Sequence, residues 1–198
     1  MRRTPWSAAA LLVVALGAGG CILPTDQSAI VFNDAPPSSS CAGPISISIY
    51  LVNTTVQPER LTPVSRPNYA KNGDEPLCAL NALNAGPTPD EQIKGIETRF
   101  LEIPEGLGLN DVSGGTATVQ LDAAFLSVAS QRSLAEAFGQ VVYTLTGLNV
   151  GISRVQFIFE NSAYSRVILA NGTIRSSGLV TRADYCAFGP PGQRCGSG

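Results

Sequence analysis

Two groups of side chains have the types and spacing that chemistry needs. They are the carboxylates Asp90-Glu91 and Glu102/Glu105, and five cysteines at 21, 41, 78, 186 and 195. Paired carboxylates could supply the acid and base of sugar hydrolysis. Asp90-Glu91 follows Pro89, however, and fits a helix start, where acidic side chains cap the first turn. Glu105 falls in the turn Pro104-Glu105-Gly106, where solvated polarity is the simpler account. The chain has no histidine, which removes the commonest general base and metal ligand and with them any Ser-His-Asp or Cys-His arrangement. No catalytic residue, metal ligand or cofactor is assigned.

Cys21 stands apart from the other cysteines. Arg2 and Arg3 form a positive n-region, Trp6 to Leu16 an apolar h-region, and Leu16-Gly17-Ala18-Gly19-Gly20-Cys21 a small-residue run closed by cysteine. The apolar stretch is too short to span a bilayer and reads as a cleaved leader, residues 1–20. A cysteine directly after such a run resembles the lipobox, so Cys21 is the expected diacylglyceryl acceptor. Two acyl chains, each buried methylene contributing about 0.8 kcal/mol, would anchor the chain to a membrane.

Cys41, Cys78, Cys186 and Cys195 remain, an even number, and predict two disulfides outside the cytoplasm. Cys186–Cys195 with Cys41–Cys78 fits the sequence. A crossed pairing that ties Cys41 to the C-terminal tail fits equally, and spacing does not choose. No CxxC pair argues for zinc.

The chain carries 13 basic and 15 acidic residues, a net charge of −2, and loss of Arg2 and Arg3 with the leader makes it more acidic. That offers no basic face for nucleic acid. Gly106-Leu107-Gly108 lacks the following helix of a dinucleotide loop. Asn53-Thr54-Thr55 and Asn171-Gly172-Thr173 match the glycosylation sequon, to which a bacterial lipoprotein gives little weight.

The elements that must position these residues can be read from periodicity. Residues 21–43 contain Pro24, Pro36-Pro37 and Ser38-Ser39-Ser40 and read as a tether, or as an arm whose end Cys41 fixes. Ile45 to Val52 alternates as a half-buried strand. Leu61 to Arg66 is a second, shorter strand, an edge or irregular one because of Pro63. Asp74-Glu75-Pro76 opens a helix with Leu77, Leu80 and Leu83 on its buried side, stopped at Gly86-Pro87. Asp90 to Gly95 predicts a helical turn. Leu107–Val112 and Thr116–Asp122 predict strands joined at Gly114-Gly115, with Ala117, Val119 and Leu121 on one face.

Ser133 and Glu136 predict a capping box for the longest helix, with Leu134, Phe138, Val141, Leu145 and Leu148 at helical spacing. Val155, Phe157 and Phe159 alternate on another strand, and Asn171-Gly172 marks a hairpin. The tail, residues 187–198, is Gly/Pro-rich. The fold class is α+β: a mixed sheet with two main helices packed on one face, preceded by a signal peptide and a flexible tether.

The series Ile49-Tyr50-Leu51-Val52, Leu61 to Arg66, the helix Leu77 to Leu83 running into Ala85-Gly86-Pro87-Thr88, Ile103 to Gly106, Gly115 to Asp122, Gln140 to Thr146 and Arg154 to Phe157 resembles the GerMN domain of sporulation and spore-germination lipoproteins. Gly178 to Tyr185 is similar to the end of actinobacterial members. The likeness covers roughly residues 44–186. It departs at Glu97–Glu102, a longer segment, and at Glu160-Asn161-Ser162, where members often show Asp-Gly. The resemblance implies an envelope protein of sporulation, germination or cell-wall and division signalling, and brings no catalytic residues.

The expected function is therefore that of a lipid-anchored, non-enzymatic protein on the outer face of the cytoplasmic membrane. It is held by diacylglyceryl on Cys21 and binds an envelope protein. Arg182, Asp184 and Tyr185 are the partner-contact candidates, because Tyr and Arg are enriched at hot spots; an Arg182–Asp184 pair beside a packed Tyr185 is the structural alternative. A cell-wall glycan binder using Tyr50, Tyr143 or Tyr164 is the second functional class. A carboxylate-dependent hydrolase is the third.

Overall fold

The computed structural model describes residues 41–69, 75–100, 107–127 and 130–193. The leader, Cys21 and most of the tether lie outside these residues, as do Glu102, Glu105 and Cys195.

The first strand, β1, runs Ala42–Asn53 and pairs antiparallel with β2, Arg60–Tyr69. Ile47, Ile49 and Leu51 are buried on one face, as the alternation requires. The helix α1, Glu75–Ala85, follows, then α2, Pro89–Ile93, and the short β3, Ile96–Glu97, which returns to pair with β1 at Val52 and Asn53. These three strands form a sheet in the order β2-β1-β3. The disulfide Cys41–Cys78 ties the start of β1 to α1, one of the two pairings that spacing left open. It closes 37 residues of chain, a loop whose closure is worth about 4 kcal/mol.

A second sheet is built from β4 (Gly108–Ser113), β5 (Thr116–Gln120), β6 (Arg154–Phe159), β7 (Ser162–Ala163) and β10 (Leu179–Thr181). Its order is β10-β6-β5-β4, with β7 hairpinned onto β6. β5 and β6 run parallel, so a crossover must join them. It is made by α3, Ala123–Leu126, and the long helix α4, Gln131–Thr146. Ala117 and Val119 face Val155 and Phe157 across the parallel pair, and all four are buried. A two-stranded hairpin, β8 (Val167–Ile168) and β9 (Ile174–Arg175), and a 3-10 helix, Arg182–Phe188, complete the described chain. The architecture is α+β with mixed pairing, and its strands divide between separate sheets.

Helix α4 is the axis of the core. Every residue from Leu134 to Leu145 is buried, although a one-faced apolar pattern predicts a wet side. The explanation is a polar stripe at four-residue spacing, in which Gln140 and Thr144 meet backbone and Glu136 meets the Arg99 side chain rather than water. Thr144 Oγ1 accepts from the Tyr50 N–H (2.9 Å), and Gln140 Nε2 donates to the Tyr50 carbonyl (3.1 Å). Side chains of α4 thus seal β1 where β3 does not reach. Tyr50 lies opposite Pro63. Because both backbone groups of Tyr50 point away from β2, this is a non-hydrogen-bonded pair, and Pro63 sits where the β1–β2 ladder needs no donor.

Three local expectations change. The helix cap is Ser130, whose Oγ accepts from the Ser133 N–H (3.0 Å); Glu136 is drawn into the core by Arg99 and caps nothing. Leu77 is 38 % exposed, on the wet stripe that it shares with Asn81 and Ala85, while α1 buries Pro76, Cys78, Ala79, Leu80, Ala82 and Leu83. The 3-10 helix carries order through Ala187 and Phe188, with Phe188 buried, so packing extends past residue 186.

Candidate partner-binding surface

The three contact candidates at the end of β10 are used internally. Tyr185 is wholly buried and donates its hydroxyl proton to the Ile168 carbonyl (3.0 Å). Burial pushes its pKa well above the usual tyrosine range, reinforced by Asp184. Asp184 accepts from the backbone and hydroxyl of Thr181 (2.8 and 3.0 Å), capping the 3-10 helix, and pairs with Arg175 at 2.6 Å. Arg182 donates to the Tyr143 carbonyl (2.9 Å) and to Thr146 Oγ1 (3.1 Å). Its guanidinium lies 4.6 Å from the Tyr143 ring centroid and 5.6 Å from that of Tyr50. Asp184 therefore answers Arg175, and Tyr185 is removed from any contact surface.

Of the tyrosines considered for sugar stacking, Tyr143 is buried and Tyr50 is half-buried beneath Arg182. Burial raises the Tyr143 pKa, against the opposing pull of Arg182 and of a hydrogen bond to Gln193. Tyr164 is half-buried against the core and flanked by Phe138 (6.2 Å) and Phe159 (6.4 Å, edge-on).

The carboxylates that the fold gathers are also engaged. Glu91 completes a capping box with Thr88 and takes both terminal nitrogens of Arg66 at 2.8 Å. Burial would raise its pKa, but the Arg66 bonds and charge and the Thr88 N–H outweigh that and hold it below the usual carboxylate value. A denser cluster escaped the sequence reading. Arg99 bonds Glu136 (2.8 Å), Glu59 (2.8 Å) and Glu97 (2.9 Å). Burial alone would lower the Arg99 pKa, yet the three carboxylates raise it. The spacing of Glu136, Gln140 and Thr144 was the readable sign, since a polar stripe on a buried helix needs partners. Among the described residues no group of three His, Cys, Asp or Glu could hold a metal ion.

Both sequons have a structural use. Asn53 Oδ1 accepts from the N–H and hydroxyl of Thr55 (2.9 and 2.7 Å), and Asn171 Oδ1 does the same with Thr173 (3.0 and 2.7 Å). Cys186 is disulfide-bonded as well.

A groove opens along the N-terminal half of α4. One lobe, about 510 Å³, is lined by Leu134, Phe159, Tyr164, Arg166, Ile168 and Ile174, among others. A second, about 340 Å³, shares Gln131 and Ile168 with it and reaches Arg132 and Phe188. It is assembled from α4, β6, the β8–β9 hairpin and the 3-10 helix, which no single motif encodes.

The family model for sporulation and spore germination, Germane, matches residues 48–165, from β1 to the segment before β8. The chain belongs to the Germane family.

The tandem GerMN domains of the sporulation protein GerM from Bacillus subtilis share the fold, with a TM-score of 0.51 at 18% identity over 71% of this chain. The chain spans 46% of that tandem structure. The first GerMN domain of the same protein gives a TM-score of 0.49 at 16% identity, over 70% of this chain and 98% of that one. Identities this low speak for the fold alone. No curated protein matches the chain.

Proposed function

We propose that this Germane chain is a lipid-anchored, non-enzymatic envelope protein that binds a protein partner on the outer face of the cytoplasmic membrane. The observation that carries the reading is the Cys41–Cys78 disulfide, whose cysteines are both wholly buried. Structural disulfides belong to oxidising compartments, the side of the membrane to which the leader and Cys21 would deliver the chain.

An adaptor role is supported by how the polar side chains are used. Glu59, Glu91, Glu97 and Glu136 are each bonded to an arginine. The groove beside α4 is lined largely by apolar side chains, the kind of surface that takes a peptide. A glycan site is the weaker reading, because Tyr143 is buried and Tyr50 lies under Arg182.

Cross-linking of intact cells with the tagged chain, and with Cys21→Ala beside it, tests this. The expected result is an envelope protein captured by the anchored form and lost with Cys21→Ala. Capture of nothing above background, with wall fragments retained instead, would overturn the adaptor in favour of glycan binding.

A further inference from the structure

The groove beside α4 has a chemical character of its own, and the inference drawn from it rests on the partner-binding reading above. Its two lobes are lined by Arg166 and Arg132 and by no Asp or Glu, in a chain whose net charge is −2. Arg132 is partly engaged, facing Glu136 at 2.8 Å and lying 5.7 Å from the Phe188 ring centroid. Arg166 is exposed and makes no ion pair among the described residues. Between the lobes Ile168 is 7% exposed, while Ile174 on the hairpin stands 55% exposed over an apolar floor. A small apolar trough with an unanswered cation at its rim selects for apolar side chains flanked by negative charge.

We infer that the groove formed by α4, Tyr164 and the β8–β9 hairpin takes an acidic, amphipathic segment of a partner protein, with apolar side chains against Ile168 and Ile174 and a carboxylate on Arg166. The flanking of Tyr164 by Phe138 and Phe159 assigns its ring to packing. A sugar would need an open aromatic face. A basic segment would bring its charge against Arg166.

The test is a photo-cross-linking residue placed at Ile174 of the full chain in its own cells, with the same residue at Ile93 as control. Ile93 is 84% exposed on α2 and lines neither lobe. Cross-linked peptides are identified by mass spectrometry.

The expected result is a segment rich in Asp or Glu among apolar residues, captured from position 174 and not from 93. Its yield should fall about tenfold with Arg166→Glu and be largely kept by Arg166→Lys. Arg166 and Ile174 are both exposed, so these changes leave the core intact, which a thermal melt of each variant checks. Capture of a segment without acidic residues, of a second copy of this chain, of glycan or of lipid would overturn the inference. So would a yield indifferent to Arg166→Glu. Partner capture from Ile93 alone, or by the anchored protein with silence at Ile174, sinks the groove and leaves the adaptor standing. Silence everywhere sinks both.

Discussion

Arg99 Nε donates to Glu136 Oε2 at 2.8 Å, joining the segment after β3 to the buried face of α4. Glu136 is 2% exposed, and its other oxygen faces Arg132 at 2.8 Å without accepting a hydrogen bond. The carboxylate thus depends on Arg99 for its hydrogen bonding. Arg99→Ala is expected to lower stability by up to about 3–5 kcal/mol, the range for breaking a buried pair, reduced by the ion pair that Glu136 keeps with Arg132. Arg99→Met with Glu136→Leu should recover part of the loss, because the most buried carboxylate goes with its partner, while the more exposed Glu59 and Glu97 still lose theirs. Urea unfolding of the two single variants and the double variant measures the coupling. Additive losses would show that the pair does not act as a unit.

The turn between β6 and β7 places two non-glycine residues in the left-handed region, Glu160 at φ 49° and Asn161 at φ 61°. Phe159 pairs with Ser162 across it, so it is a two-residue hairpin of the type that favours Asn-Gly. Replacing Glu160-Asn161 by Asn-Gly should stabilise the chain by about 1 kcal/mol and raise Tm by about 2–4 °C. A calorimetric scan decides it, and an unchanged or lower Tm would argue against the strain.

How far the sequence could be read follows from where each signal lies. Strict alternation placed β1, β5 and β6, because a one-residue slip would turn their apolar faces to water. Pro63 marked the edge strand for a reason visible at Tyr50. The Ser133–Glu136 pattern misled because a capping box and a buried ion pair use the same residue types, and only Arg99, far along the chain, distinguishes them. Arg182, Asp184 and Tyr185 looked like a contact surface because their partners, Tyr143, Arg175 and Ile168, are set by tertiary packing. The groove was illegible for the same reason.

Gly178 has φ +70°, and a Cβ there would meet the Phe157 carbonyl oxygen at 2.6 Å. Gly172 has φ +81° with nothing within 4 Å of a Cβ. Alanine at both positions therefore separates backbone strain from collision. Gly172→Ala should cost about 1 kcal/mol, the backbone contribution alone. Gly178→Ala should cost at least about 2 kcal/mol more, since the β6–β10 pairing must open to admit the methyl. Chemical denaturation of both variants reads the difference; equal losses would mean that β10 moves aside freely.

Glu91 links α2 to β2 through Arg66, and its pKa is held below the ordinary 4.5. A carboxylate with a depressed folded pKa stabilises the fold above its unfolded pKa, and the contribution disappears as pH falls through the folded value. Stability should therefore decline from about pH 4.5 downward. Glu91→Gln removes the titrating group, so its stability should be lower than that of the parent near neutrality and should approach the parent's as the pH falls. Denaturant midpoints from pH 7 to pH 3 test the convergence. Parallel curves for the two proteins would place the acid sensitivity elsewhere than at Glu91.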